Sequence, residues 1–399
     1  MKDGFIKAAS ASPVIKVADT EYNAQRVIET IKAADEMGVK MLVFPELVLT
    51  GCTCYDLTGH NVVLRGAKKA LLEVIAASEG VDMLVFVGLP IAVGSRLYSC
   101  AAAIYDGELL GLVPRENVRG TQFAEPADSY VEVEIDAEHV AVLSTDYVFT
   151  CAALPDLKVA AELGADIDVL VPPSVRHAQA GATVIAQLAS FPETVTSADE
   201  AELTLRSQSR RLHCGMIMAA PGKGESTTDN VFSGLCMIAE NGEILAASEC
   251  ENSMAVTELD VEYIVNTRRG SDDFDLDSDE YYEAVWGGEP VETELTRSYR
   301  KYPHLPANEA DMPAYCERML DIQVSGLVKR MQYAGLDHCV VGISGGVDST
   351  LAVMVSAMAV KKLGLPSTNV VACTMPCFCP SSRTKSNAIV VAEKLGAEV

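Results

Sequence analysis

The stretch VVGISGGVDS, residues 340–349, combines three kinds of local sequence. Its first positions are apolar or small and predict a buried strand, its glycines predict a tight turn, and the run STLAVMV at residues 349–355 predicts a helix. Glycine lets the backbone approach an anion closely, and the first N–H groups of a helix add a partial positive charge. The stretch therefore predicts a strand, a phosphate-binding turn and a helix.

The turn differs from the most common phosphate-binding loop, because no lysine follows its second glycine. The hexapeptide SGGVDS, residues 344–349, instead resembles the signature of ATP pyrophosphatases, which adenylate a carboxylate or carbonyl group and release pyrophosphate. The alternative is a plain glycine turn without a ligand. Residues 315–334 before the turn predict a helix, and residues 369–376 after it predict a second, parallel strand.

Length, charge and cysteine content limit the class of protein. A chain of 399 residues has room for two domains, and no apolar run is long enough for a membrane span, so we expect a soluble, cytoplasmic protein without a membrane partner. The formal net charge of −25 argues against a nucleic-acid partner. The pairs Cys52/Cys54 and Cys377/Cys379 predict reduced thiols, with metal binding as the alternative.

The first part of the chain alternates helical and strand patterns. Apolar residues recur at helical spacing over residues 21–37, Gly38 predicts the end of that helix, and residues 70–77 predict another helix. Between and after them the sequence predicts strands at residues 41–44, 83–90, 97–105 and 109–114. Glu46 follows the first of these strands, where α/β sheets tend to hold their chemistry. The order predicts an α+β or layered α/β domain.

Four short motifs in this part resemble the nitrilase or carbon–nitrogen hydrolase superfamily. They are VFPEL at 43–47, LTG at 49–51, VGLP at 87–90 and GLVP at 111–114. In particular they resemble the glutaminase domain of the glutamine-dependent NAD synthetase family, and SGGVDS follows in the order which that family has. The resemblance implies a nitrilase-like α-β-β-α sandwich followed by the first part of a Rossmann-like ATP-pyrophosphatase domain.

We place the glutaminase-like domain at residues 1–265, an acidic linker at 266–312, and the start of the synthetase domain at 313–399. Seven of the residues 271–285 are acidic, which predicts a solvated loop, with ion binding as the alternative.

The superfamily cleaves amides with a glutamate base, a lysine that stabilises the oxyanion, and a cysteine nucleophile. By resemblance, Glu46 is the base, Arg115 stands at the position of the lysine, and Gly164 stands at the position of the cysteine. A planar guanidinium does not replace a compact ammonium in a fitted pocket, and glycine carries no nucleophile. We therefore expect glutamine hydrolysis to be absent or very weak.

Other departures accompany Gly164. The family motif ICEDLW reads LGADID at residues 163–168, an aromatic residue is replaced by Cys52, and paired arginines are replaced by Ala201 and Glu202. The Tyr-rich loop after the lysine reads VRGTQF at 118–123. A relocated nucleophile is the alternative, although each of the four candidates fits its local family pattern as a structural position. The candidates are Ser144, Thr145, Cys151 and Cys214.

In the resembled reaction, ATP adenylates the nicotinate carboxylate of deamido-NAD, and ammonia, free or from glutamine, displaces AMP to give NAD. Asp348 would either cap the helix or hold Mg²⁺. The residues that the resemblance assigns to nucleotide binding are Gly342, Ser344, Gly345, Gly346, Val347, Asp348, Ser349, Thr374 and Arg383.

The resemblance also implies a homo-oligomer. Only two strands of a sheet of about five are predicted before Val399, so we expect a fragment or a truncated product that does not complete the reaction alone. The alternative function is a non-catalytic pseudo-amidase, a scaffold or regulatory subunit of a synthetase assembly.

Overall fold

The computed structural model describes residues 2–127, 130–248, 253–274, 281–287, 290–374 and 382–399, with residues 253 and 382–386 described by their backbone alone. The chain separates into two compact units, unit 1 from Met1 to Ser298 and unit 2 from Tyr299 to Val399. Within these described ranges, no helix is long and apolar enough to cross a membrane.

Both units contain strands and helices. The strands of unit 1 are β1 (Phe5–Ser12), β2 (Met41–Val43), β3 (Leu84–Val93), β4 (Arg96–Tyr105), β5 (Glu108–Pro114), β6 (Val131–Glu134), β7 (Val140–Leu143), β8 (Tyr147–Cys151), β9 (Lys158–Leu163), β10 (Val184–Leu188), β11 (Gly215–Ala219), β12 (Cys236–Glu240), β13 (Glu243–Ser248), β14 (Ser253–Asp260) and β15 (Tyr282–Trp286). Its helices are α1 (Thr20–Glu36), α2 (Asn61–Ala77), α3 (Pro173–Gln179), α4 (Ser197–Leu212) and α5 (Val261–Arg268), with 3₁₀ helices at Cys52–Gly59 and Gly164–Asp168. Unit 2 contains α6 (Met312–Ala334), β16 (Cys339–Ile343), α7 (Val347–Lys362), β17 (Val370–Thr374) and α8 (Ser382–Lys394), with 3₁₀ helices at Glu309–Asp311 and Ser367–Asn369.

The strands of unit 1 form two mixed sheets. The first has the order β14-β1-β2-β3-β4-β5-β7-β6 and the second the order β13-β12-β11-β10-β9-β8-β15. In the first sheet β1, β2 and β3 are parallel, and in the second β9, β10 and β11 are parallel. Within each sheet, the carboxyl ends of these parallel strands lie at the same edge. Glu46 follows β2 at that edge of the first sheet, and Gly164 follows β9 at that edge of the second sheet.

The two sheets pack face to face with helices outside. Side chains such as Phe86 of the first sheet and Phe149 of the second meet in the central core, with their rings 5.4 Å apart. Val27 of α1 and Val74 of α2 pack on the outer face of the first sheet, and Leu205 of α4 packs on that of the second. This arrangement is the predicted α-β-β-α sandwich.

Helix α1 confirms the helix predicted at residues 21–37. Ala24, Val27 and Ile31 lie at helical spacing and are fully buried, so one face of the helix covers the sheet. The side chain of Asp19 accepts a hydrogen bond from the Tyr22 N–H at 3.1 Å and caps the first turn. Gly38, with φ of 74°, follows its end as predicted.

The domain boundaries predicted at residues 265 and 312 stay a prediction. Within the predicted linker 266–312, residues 282–286 form β15, which pairs in parallel with β8 of unit 1. Trp286 is buried, and its indole N–H donates a hydrogen bond to the Phe149 carbonyl oxygen at 3.1 Å. Residues 275–280 of the acidic run lie outside the described part of the chain.

Unit 2 contains the predicted parallel unit. Strands β16 and β17 pair in parallel, and α7 connects them. Val353 and Ala359 of α7 are buried against Val370 and Ala372 of β17, which gives the unit a small core of its own. Cys377 and Cys379 lie outside the described residues.

Candidate functional site

Glu46 lies in the tight turn after β2 and is only 1% exposed. Gly88 of β3 makes room for that turn, because a Cβ atom at residue 88 would lie 2.4 Å from the Leu47 nitrogen. The Ser99 hydroxyl donates a hydrogen bond to Glu46 Oε1 at 2.6 Å. The carboxylate is therefore held in a fixed position inside the protein.

Arg115, directly after β5, is the ionic partner of this carboxylate. Its Nη1 lies 3.3 Å from Glu46 Oε1 and 3.2 Å from Glu46 Oε2, and its Nε donates to the Asn117 carbonyl oxygen at 2.8 Å. The side chains of Arg115 and Glu46 are 11% and 1% exposed, so the pair is nearly out of solvent. Removing one partner of such a pair leaves a buried charge uncompensated.

Gly164 begins the 3₁₀ helix after β9 and touches the same ion pair. A Cβ atom built on residue 164 would lie 2.5 Å from Arg115 Nη1 and 2.5 Å from Glu46 Oε2. Gly164 has φ of 55°, a backbone region that residues with side chains rarely adopt. The guanidinium thus occupies space that any side chain at residue 164 would need.

The structure brings together Glu46, Arg115 and Gly164, the three residues that the resemblance assigned to one site. What it adds is Asp166, which sequence reasoning did not single out. Its carboxylate accepts hydrogen bonds from the backbone N–H groups of Glu116 at 3.1 Å and Asn117 at 2.6 Å. Burial raises the pKa of Asp166 to about 6, although these N–H groups act in the opposite direction. Asp166 ties the loop after β5 to the loop after β9.

A pocket of about 390 Å³ opens above the ion pair. Its lining residues include Glu46, Arg115, Cys52, Thr53, Gln122, Phe123, Asn230 and Phe232. Glu225 supports one wall, because its carboxylate accepts hydrogen bonds from the backbone N–H groups of Cys52 at 2.8 Å and Thr53 at 3.0 Å. Gln122 and Phe123 belong to the loop 118–123, so this loop contributes to the pocket.

Cys52 is the thiol in this pocket. Burial raises the pKa of Cys52, and the neighbouring Glu225 carboxylate raises it further, so the thiol stays protonated at neutral pH. A protonated thiol is a poor nucleophile. The surroundings of Cys52 therefore do not favour its thiolate form.

The other nucleophile candidates lie elsewhere. Cys151 and Cys214 are fully buried within hydrophobic clusters of the core. Burial raises the pKa of Cys214 to about 12. None of the candidates Ser144, Thr145, Cys151 and Cys214 is among the lining residues of the pocket in the described chain. The geometry gives no support to a relocated nucleophile.

In unit 2, the turn 344–349 consists of residues 344–346, which follow β16, and residues 347–349, which begin α7. The Ser349 hydroxyl accepts a hydrogen bond from the Ser344 N–H at 3.2 Å, and the Ser344 hydroxyl accepts one from the Gly346 N–H at 3.3 Å. Gly345 has φ of 80°, which requires glycine in practice. The two hydroxyls close the turn around its own backbone.

The remaining predicted nucleotide-binding residues lie near this turn or outside the described side chains. Gly342 belongs to β16, and Thr374 ends β17 opposite Ile343. Asp348 lies in the first turn of α7. The N-cap residue of α7 is Gly346, and no side chain makes a capping hydrogen bond at this end of the helix. The structure therefore does not support a capping role for Asp348. Arg383 lies in α8, where its side chain is not described.

Comparison with protein families gives two matches in the predicted order. The carbon–nitrogen hydrolase family model matches residues 7–269, and the NAD synthase family model matches residues 319–399. The chain therefore belongs to the carbon–nitrogen hydrolase family. The NAD synthase match lies after the carbon–nitrogen hydrolase match along the chain.

Curated relatives match nearly the whole length of the chain. Glutamine-dependent NAD(+) synthetases of Mycobacterium tuberculosis and Mycobacterium leprae are each 32% identical over 98% of this chain and 60% of their own length. That of Thermotoga maritima is 24% identical over 100% of this chain and 65% of its own length. The chain thus spans about three-fifths of the length of the mycobacterial relatives.

Solved structures show the same fold. The glutamine-dependent NAD(+) synthetase of Cytophaga hutchinsonii has a TM-score of 0.57 and 16% identity, over 99% of this chain and 64% of that chain. The Saccharomyces cerevisiae nitrilase-superfamily member Nit3 has a TM-score of 0.52 and 15% identity, over 67% of this chain and 95% of its own.

Proposed function

We propose that the protein carrying this chain synthesises NAD from deamido-NAD and ATP, and that it takes free ammonia as the nitrogen source. The observation that carries the proposal is the turn 344–349 between β16 and α7, in a chain whose relatives are named glutamine-dependent NAD(+) synthetases. The reaction class is that of an ATP-dependent carbon–nitrogen ligase.

The turn supports pyrophosphate binding on chemical grounds. The backbone N–H groups of Gly345, Gly346 and Val347 precede or begin α7, where the helix adds a partial positive charge. The hydroxyls of Ser344 and Ser349 already lie 3.2 Å apart and could turn from each other to phosphate oxygens. Both kinds of donor suit the oxygens of a leaving pyrophosphate.

Asp348 fits a role in holding Mg²⁺. Its carboxylate is free of helix capping in the first turn of α7, and Mg²⁺ prefers oxygen ligands. A bound Mg²⁺ would neutralise charge on the phosphate oxygens. The glutamine-dependent NAD+ synthetase of Acinetobacter baumannii has been solved in complex with ADP, which agrees with a nucleotide bound at this fold.

Unit 1 lacks two groups that glutamine hydrolysis requires, a nucleophile and a free carboxylate base. The position of the nucleophile carries no side chain, and the Glu46 carboxylate that would accept the thiol proton is already bonded to Ser99 and Arg115. Losing the attacking atom from such a constellation costs several orders of magnitude in rate. Ammonia must then come from solution or from a separate ammonia-releasing reaction.

The test measures NAD formation by the full-length gene product with ammonium chloride or with ammonia-free glutamine, and glutamate release in parallel. We expect NAD with ammonium, and neither NAD nor glutamate above background with glutamine. The Asp348→Asn variant should lower the rate with ammonium by about 100-fold, whereas Asp321→Asn, at an exposed position of α6, should not.

Two results would contradict the proposal. Glutamate released in proportion to NAD would show that unit 1 hydrolyses glutamine after all. Absence of NAD with either nitrogen source would instead favour the non-catalytic scaffold, which the comparisons do not favour.

A further inference from the structure

A second cleft in unit 1 lies on the far side of the 3₁₀ helix Gly164–Asp168, and its volume is about 250 Å³. It opens where β9, β10 and β11 end, at the edge of the second sheet that suits ligand binding. Pro192 lines both this cleft and the pocket above Glu46, so the two cavities are neighbours. Nothing in the proposed NAD synthesis uses this cleft.

The floor of the cleft is apolar. Ile167, Leu205 and Met218 are 9%, 0% and 2% exposed, and Phe191 adds an aromatic wall. One face of α4 forms the opposite side, because its lining residues recur at helical spacing. Those residues are Ser197, Glu200, Ala201, Thr204 and Leu205.

The mouth of the cleft carries two carboxylates. Asp168 accepts no hydrogen bond from the described residues, and Glu200 accepts one from the Thr196 hydroxyl at 2.7 Å. No lysine, arginine or histidine of the described chain lines the cleft. Both carboxylates line the cleft, and the charge of Glu200 adds to burial in raising the pKa of Asp168.

We propose that this cleft binds a small organic cation, an alkylammonium or arylammonium ion of up to about eight non-hydrogen atoms, as its volume allows. The hydrocarbon part lies against Ile167, Leu205 and Met218, and the ammonium group lies between Asp168 and Glu200. A cation there relieves the repulsion between the carboxylates, while the apolar body displaces water from the floor. The site is independent of the proposed NAD synthesis.

The test measures binding of n-butylammonium to the full chain by NMR or calorimetry, with n-butanol, butyrate and ammonium as matched probes. We expect saturable binding of n-butylammonium and much weaker binding of the other three. Asp168→Asn and Glu200→Gln should each weaken binding about tenfold. Asp199→Asn, the adjacent acidic residue on α4 outside the cleft, should leave it unchanged.

A filling variant separates the cleft from the surface charge. Ala201→Leu keeps both carboxylates and should abolish n-butylammonium binding while the chain stays folded by circular dichroism. The proposal is overturned if n-butylammonium does not saturate, if n-butanol or ammonium binds equally well, or if the cleft variants bind like Asp199→Asn.

Discussion

At the scale of single residues, Gly164 and Arg115 form a matched pair. The guanidinium of Arg115 balances the charge of the buried Glu46, and it lies within 2.5 Å of where a Cβ atom of residue 164 would stand. A side chain at residue 164 would displace the guanidinium from Glu46. Glycine at 164 and arginine at 115 are thus compatible with each other, whereas cysteine at 164 is incompatible with this position of the arginine.

We expect Gly164→Ala to destabilise the chain more than Gly38→Ala. Both glycines have positive φ, 55° and 74°, but only Gly164 has atoms within contact distance of the added Cβ. Gly38→Ala should therefore cost about 1–2 kcal/mol of unfolding free energy through backbone strain alone. Gly164→Ala should cost a further ~1–3 kcal/mol through overpacking against the ion pair.

Urea unfolding of the two variants and the wild type measures this difference. Equal losses for the two variants would show that the guanidinium moves aside without cost, which would contradict the matched-pair interpretation.

At the scale of elements, a buried carboxylate connects β9 to α3. Glu162 of β9 is 1% exposed, and its Oε2 accepts a hydrogen bond from the Ser174 N–H at the start of α3 at 3.1 Å. Its Oε1 has no hydrogen-bond partner among the described residues. Burial raises the pKa of Glu162 to about 8, so the folded chain holds a proton there at neutral pH.

This proton makes the stability of unit 1 depend on pH. In the unfolded chain Glu162 titrates near its ordinary value of 4.5, so between pH 4.5 and about 8 only the folded chain keeps the proton. The contribution of the protonated Glu162 to the free energy of unfolding is complete below pH 4.5. Between pH 4.5 and about 8 this contribution falls by about 1.4 kcal/mol per pH unit. Glu162→Gln should remove that slope.

Unfolding free energies at pH 5, 6.5 and 8 test the expectation as the difference between Glu162→Gln and wild type, which should grow with pH. Glu36→Gln, at an exposed position of α1, is the control and should show no such trend. A difference that stays constant across pH would contradict a protonated Glu162.

At the scale of the whole molecule, the last residues of unit 1 are bound to its core by two buried carboxylates. Arg297 donates hydrogen bonds to both oxygens of Glu240, at 3.0 and 3.1 Å. The backbone N–H groups of Thr296 and Arg297 each lie 3.0 Å from Glu258 Oε2. Glu240 and Glu258 are 3% and 0% exposed, so the segment 291–298 completes the burial of unit 1.

We expect residues 1–298 to fold without unit 2, since the hydrophobic clusters of the two sheets lie within this range. A shorter chain of residues 1–290 removes the donors to Glu240 and Glu258 and should lose about 3–5 kcal/mol. Circular dichroism during urea unfolding compares the two chains. Equal midpoints would show that the segment 291–298 does not stabilise unit 1.

Local sequence patterns were sufficient to predict a helix or strand where one short stretch contains all the residues that specify it. Helix α1 was predicted because its apolar spacing and Gly38 lie within one window, and α6, β16 and α7 follow from the same kind of pattern. The start of α2 was missed, because Gly66 interrupts its helical pattern. That glycine is required by packing, since a Cβ atom there would lie 2.5 Å from the Thr20 hydroxyl of α1. Strand β15 was missed because its partner β8 is distant in sequence.

The sequence by itself determined the order of the two groups of motifs, the turn 344–349 and the absence of a thiol at residue 164, because residue types at fixed spacing record these features. The α-β-β-α sandwich was implied by the resemblance to the nitrilase superfamily. Only the tertiary structure decided that Arg115 fills the space beside Gly164 and that Asp166 holds two loops together. It also decided that Asp168 faces Glu200 across an apolar cleft. Such relations depend on distances between residues of different elements, and packing alone sets those distances.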